Sequence, residues 1–273
     1  MKEEKKKLRI ICFTDYTSYG DAAVAHAFAL CMIFRAELYI LPLMKEQKQH
    51  SDTFKHVLEM SEEQQVKIVH YTHCPKLRKE IYAFAEENNG MMMVIAAAKS
   101  KKITFFNYSK ALSFIKKSRL PVLVVGKKLP TADAYKNIIL PLDSSMYSKE
   151  KSLWASYFSR FYNAYVHVLY KNYKDDFLRY KLVENIGFTE KLYDNLNVLF
   201  KKHPVDNVKK DIDDYACDFA PSVKGSLILS MTTKYLTLFD ILLGTKERKT
   251  IRYVNTIPYL YINQRDDLYV LCT

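Results

Sequence analysis

Short apolar runs alternate along this chain with longer stretches in which apolar residues return every three to four positions. Leu8–Thr14 is the first such run, and it closes on Asp15. Ala23, Ala27, Cys31 and Phe34 then share one side of a predicted helix, and Ala36–Leu41 reads as a second strand. Val66–His73 predicts a third strand, and Leu77, Ile81, Phe84 and Ala85 predict the helix that follows. Met91–Ala97 and Pro121–Val125 complete the set, with a further helix between them. From Tyr135 the same order begins again. Tyr135–Leu142 closes on Asp143, and Leu153, Trp154, Tyr157, Phe158 and Phe161 predict a core-facing helical stripe. Ala164–Leu169, Asn197–His203, Ser226–Met231 and Pro258–Ile262 read as strands. Val208, Ile212, Tyr215, Ala216 and Phe219 mark the helix between the second and third of these four.

Each half therefore reads β-α-β-α-β-α-β-α-β. Strands that alternate with amphipathic helices imply right-handed crossovers and a parallel sheet covered on both faces, an α/β, Rossmann-like arrangement present twice. The repeat places one unit over 1–127, a linker over 128–134 and a second unit over 135–273. Ligands of such sheets bind beyond the carboxyl ends of the strands. Asp15 and Asp143 fall at those ends, as do the loops after Ala97 and Met231.

Composition narrows the partners. The 273 residues are 49% hydrophobic and carry a net charge of +12. The basic residues are dispersed, so the charge serves solubility first and nucleic acid is not the expected partner. The five cysteines are odd in number and form no CxxC, which fits a reducing cytosol. Met91–Ala98, the longest strongly apolar run, is too short to span a bilayer, and the charged N-terminus does not read as a signal peptide. A soluble, cytoplasmic protein with no membrane partner is expected.

Several candidate chemistries fall away. His70, His73 and Cys74 lie close together, but their strand spacing sends the two histidines to opposite faces, so no metal is expected there. Ser148 and Lys151 match Ser-x-x-Lys without the companion motifs of serine acyl enzymes. Cys12 and Cys31 read as packing thiols. Phe105, Phe106 and Tyr108, next to Lys101 and Lys102, read as aromatics packed on the sheet rather than base-stacking platforms.

The run Asn137-Ile-Ile-Leu-Pro-Leu-Asp143 followed by Ser144 and Ser145, the aromatic-x-Ala ends of the first helices and the closing Pro121-Val-Leu-Val-Val resemble the universal stress proteins. The likeness runs through both halves, as in a tandem member. It implies five parallel strands per unit and pairing of the two units within one chain through their last strands, and it leaves a homo-oligomer open. ATP-binding members resemble one another in a Gly-x2-Gly-x9-Gly-Ser/Thr segment after the fourth strand, where backbone amides cradle phosphates. Here Gly244 and Thr245 fit its end, while Met231 and Lys234 stand where the first two glycines belong. In the first unit Tyr108 and Ser109 replace the end, and Ile95 and Ala98 the glycines. The resemblance thus implies degenerate nucleotide pockets. The candidate ligand contacts are Asp15 and Ser109 in the first, and Asp143, Lys234, Gly244 and Thr245 in the second. Asp15 and Asp143 equally suit a helix cap or turn. The expected function is a non-catalytic stress-response regulator with no metal. ATP or AMP in the second unit, with slow hydrolysis, is the first alternative, and a nucleic-acid-binding module the second.

Overall fold

The computed structural model describes residues 7–44, 51–72, 78–100, 102–206, 210–232 and 246–263. Packing divides the chain into two units: Met1–Thr131 with Val254–Thr256, and Ala132–Tyr253 with Ile257–Thr273. Unit 1 runs β1 (Arg9–Thr14), α1 (Ser18–Phe34), β2 (Glu37–Pro42), α2 (Asp52–Glu63), β3 (Ile68–His70), α3 (Arg78–Glu87), β4 (Gly90–Ala96), α4 (Tyr108–Ile115) and β5 (Val122–Val125). Unit 2 repeats it as β6 (Asn137–Leu142), α5 (Ser148–Tyr162), β7 (Tyr165–Lys171), α6 (Asp176–Leu196), β8 (Phe200–Val205), α7 (Ile212–Phe219), β9 (Leu227–Met231), α8 (Lys246–Thr250) and β10 (Tyr259–Ile262). Strand order is β3-β2-β1-β4-β5 in the first and β10-β9-β6-β7-β8 in the second. Every pairing within a unit is parallel. The order reverses beside β1 and beside β6, which creates a crevice at the carboxyl ends of β1/β4 and of β6/β9.

Local chemistry sets the ends of the helices. The Thr17 side chain accepts the amides of Tyr19 and Gly20 at the start of α1, and Arg35 closes that helix in the left-handed region at φ 52°. Asn163 and Asn197 do the same for α5 and α6, at φ 51° and 52°. The edge strand β8 exposes Lys201, Lys202 and Pro204, residues that discourage pairing with a foreign strand.

The predicted stripe of α5 is corrected. Phe158 is buried, but Phe161 is 49% exposed and Leu153, Trp154 and Tyr157 are only partly covered. The helix turns Ser148, Lys151, Ser152, Ala155, Ser156 and Ser159 inward instead. The buried hydroxyls find partners. Ser152 Oγ lies 2.7 Å from Thr189 Oγ1 on α6, and Ser156 Oγ donates to the Leu153 carbonyl at 2.7 Å. Among the described residues no helix is long and apolar enough to cross a membrane.

One buried histidine makes the fold acid-sensitive. His26 on α1 is 4% exposed and its Nε2 donates to the Lys128 carbonyl at 3.1 Å. Burial pulls its pKa down to about 4, against the raising effect of that bond. The unfolded imidazole titrates near about 6.5, so unfolding takes up a proton between the two values. Stability from this group is present above about pH 6.5 and falls as pH drops toward 4, by at most about 3 kcal/mol. Urea titrations of wild type and His26→Gln at pH 7 and pH 4.5 check this. The stability gap between the proteins should shrink at the lower pH, and an unchanged gap contradicts the assignment.

Candidate functional site

At the unit 1 crevice, Asp15 sits one residue beyond β1 and is 4% exposed. Its Oδ1 accepts the Thr17 amide at 3.2 Å and the Thr17 hydroxyl at 2.7 Å. Its Oδ2 accepts the Thr104 hydroxyl at 2.6 Å and the Phe105 amide at 2.5 Å. Thr17, not Asp15, is the cap of α1; Asp15 instead ties the end of β1 to the loop after β4. Gly20 leaves room for this arrangement, since a Cβ there would lie 2.6 Å from Asp15 Oδ1.

The same loop brings in aromatic bulk. Phe106 is buried, with its ring 5.2 Å from Phe114 and 5.1 Å from Phe105, and Phe114 stacks edge-on against Phe13 on β1. Backbone bonds from Ala98 N to the Phe106 carbonyl (3.1 Å) and from Tyr108 N to the Ala98 carbonyl (3.0 Å) fold the loop back on the strand end. Ser109 is exposed in the first turn of α4, where Asn107 Oδ1 already accepts the Lys110 amide at 2.9 Å. The structure thus brings Asp15 to Thr104 and Phe105, not to Ser109. His70 faces inward, its Nε2 3.0 Å from the Tyr16 hydroxyl; His73 and Cys74 lie outside the described residues. Burial raises the thiol pKa values of Cys12 and Cys31, as expected of packing thiols.

Unit 2 is built differently at the same place. Asp143, one residue beyond β6, accepts the Ser145 amide at 3.1 Å and the Ser148 hydroxyl at 2.5 Å on Oδ1. Asn185 on α6 donates to the carbonyls of Asp143 and Ser145 at 2.8 and 2.7 Å and so holds that turn. Deeper in the crevice, Lys151 Nζ on α5 lies 3.9 Å from Asp213 Oδ1 on α7, and both side chains are 1% exposed. Ser230 on β9 donates to the same carboxylate oxygen at 3.0 Å. Asp214 beside it pairs with Arg252 at 3.3 Å. An acidic first turn suits α7, because the positive end of a helix favours negative charge.

The two crevices can be compared position by position. Strand pairing sets Met93 opposite Ile11 and Ile228 opposite Ile139, so Ser230 occupies the place of Ile95. The motif spacing set Met231 at the place of Ile95, so the spacing and the strand pairing differ by one residue between the units. Counted from the two aspartates, Lys151 occupies the place of the buried Ala23. Polar side chains at these two positions of unit 2 therefore replace apolar ones of unit 1. Sequence reasoning missed Thr104, Asp213, Ser230 and Asn185, and it named Phe105 only as a packed aromatic and Lys151 only within Ser-x-x-Lys. Of these residues only Lys151 carried a signal, a charged residue on the buried side of α5. Lys234, Gly244 and Thr245 lie outside the described residues.

Known structures share this architecture. A universal stress protein from Archaeoglobus fulgidus aligns over 95% of this chain and 97% of its own, with a TM-score of 0.67 and 13% identity. The fold is that of the universal stress proteins, in tandem. A functionally unknown protein from Pseudomonas aeruginosa aligns over 96% of this chain and 95% of its own, with a TM-score of 0.66 and 12% identity. Each alignment runs through both units of this chain. No protein-family model and no curated protein matches the chain.

Proposed function

We propose that this chain is a non-catalytic, stress-associated regulatory or binding protein of the universal stress protein type, whose nucleotide pockets are taken up by its own residues. The observation that carries this reading is the Asp15 carboxylate. It accepts four hydrogen bonds from Thr17, Thr104 and Phe105, and these occupy the oxygens a ribose or base would otherwise engage. The buried Lys151–Asp213–Ser230 cluster supports the same reading in unit 2, where opening the crevice to a ligand would separate a desolvated ion pair. Among the described residues no group of three His, Cys, Asp or Glu side chains converges on a metal position.

ATP or AMP binding in unit 2, through Asp143 with Gly244 and Thr245, is the competing reading. Calorimetric titration with ATP and magnesium, and with AMP, separates the two. The proposal expects no saturable heat up to about 1 mM nucleotide and no phosphate release above background, whereas a dissociation constant of about 1 μM overturns it.

A further inference from the structure

Away from both crevices, unit 2 carries a pair of imidazoles on one face of its sheet. In the parallel register of β7 and β8, His167 stands opposite Lys201 and His203 opposite Leu169, so the two histidines are diagonal neighbours. His167 Nδ1 lies 3.1 Å from His203 Nε2, and the ring centroids are 5.2 Å apart at 42°. On its other side His167 Nε2 lies 3.3 Å from Asn137 Oδ1, an acceptor only, on β6. That contact assigns the His167 proton to Nε2 and leaves the Nδ1 lone pair directed at His203. Tyr165 and Phe219 pack their rings against the pair at 5.0 and 4.9 Å. His167 is 8% exposed, and His203 is half-buried at the surface.

We propose that His167 and His203 together bind one divalent transition-metal ion, Zn2+ or Cu2+. Two nitrogens each about 2.0–2.1 Å from a tetrahedral zinc stand about 3.3 Å apart, so the observed separation needs to open only slightly, with a turn of the more exposed His203 ring. Imidazole suits both ions. An oxygen acceptor on the far nitrogen is the usual companion of a metal-binding histidine, and Asn137 supplies it here. Burial, aided for His167 by the His203 and Lys201 charges and for His203 by Lys201, lowers the pKa of both rings, that of His167 to about 4, so both are neutral and metal-competent at pH 7. On binding, the His203 proton moves from Nε2 to Nδ1, with no net proton release. No third His, Cys, Asp or Glu joins them among the described residues, so water completes the coordination and the ion exchanges readily.

The test needs no variant at first. Substoichiometric Cu2+ is added to the intact protein at pH 7, and the ring-proton signals of its histidines are followed by NMR. Selective broadening of His167 and His203 is expected; broadening centred on any of the other five histidines instead, or none, overturns the proposal. Zinc calorimetry then follows on wild type, His167→Ala, His203→Ala and the exposed-site control His56→Ala. One equivalent should bind to wild type and control, with at least a tenfold loss of affinity in the other two. Equal binding by all four proteins overturns the assignment.

Discussion

Asp213→Ala lowers the stability of the protein by about 3–5 kcal/mol, the largest effect expected of any single side chain here. The reason is Lys151, which is fully buried and has the Asp213 carboxylate as its ion-pair partner at 3.9 Å. Removing the carboxylate leaves an ammonium in a region where the equivalent position of unit 1 holds Ala23. The cost comes from the stranded charge rather than from the attraction within the pair, because desolvation cancels most of that attraction. Lys151→Met with Asp213→Leu is therefore expected to recover most of the loss, to within about 2 kcal/mol of wild type. Trp154, the only tryptophan in the chain, lies three residues along α5 from Lys151 and reports unfolding of this unit by fluorescence in urea. A single variant within about 1 kcal/mol of wild type contradicts the ion-pair account.

Asp15→Ala comes second, with a loss of about 3 kcal/mol. Hydrogen bonds to an ionised group contribute about 1.5–3 kcal/mol each, and four that share one carboxylate do not add. The loss should be local in its first consequence. Thr104 and Phe105 are held to the end of β1 by Oδ2, so the loop after β4 loosens before the rest of unit 1. Asp15→Asn keeps one oxygen acceptor and should fall between alanine and wild type. Urea denaturation and hydrogen exchange at residues 102–108 check both variants, and unchanged exchange in Asp15→Ala contradicts the latch.

Much of the architecture is legible because parallel strands buried on both faces must be written as continuous apolar runs. β1, β4, β6 and β9 are such runs, and the Asp that ends β1 and β6 marks the same place twice. The strand predicted over Val66–His73 shrinks to the three residues of β3, because an edge strand needs little apolar character and leaves a weak pattern. The α5 stripe misleads for a different reason. The buried side of this helix is written largely in Ser148, Lys151, Ser152, Ala155, Ser156 and Ser159, polar or small residues that a search for large apolar positions passes over. The site was half legible. Asp15 and Asp143 stand out by position. Thr104 and the cluster of Asp213 and Ser230 did not stand out, because these are ordinary polar residues until a long-range contact assembles them.

The account turns on unit 1 filling its own crevice. The most direct measurement is the exchange rate of the Phe105 amide hydrogen in the intact protein, with and without about 1 mM ATP and magnesium. Slow exchange, unchanged by nucleotide, is the predicted result, since that amide already donates to Asp15 Oδ2. Rapid exchange in the free protein, or protection that appears only with nucleotide, would mean the crevice stands open for a ligand.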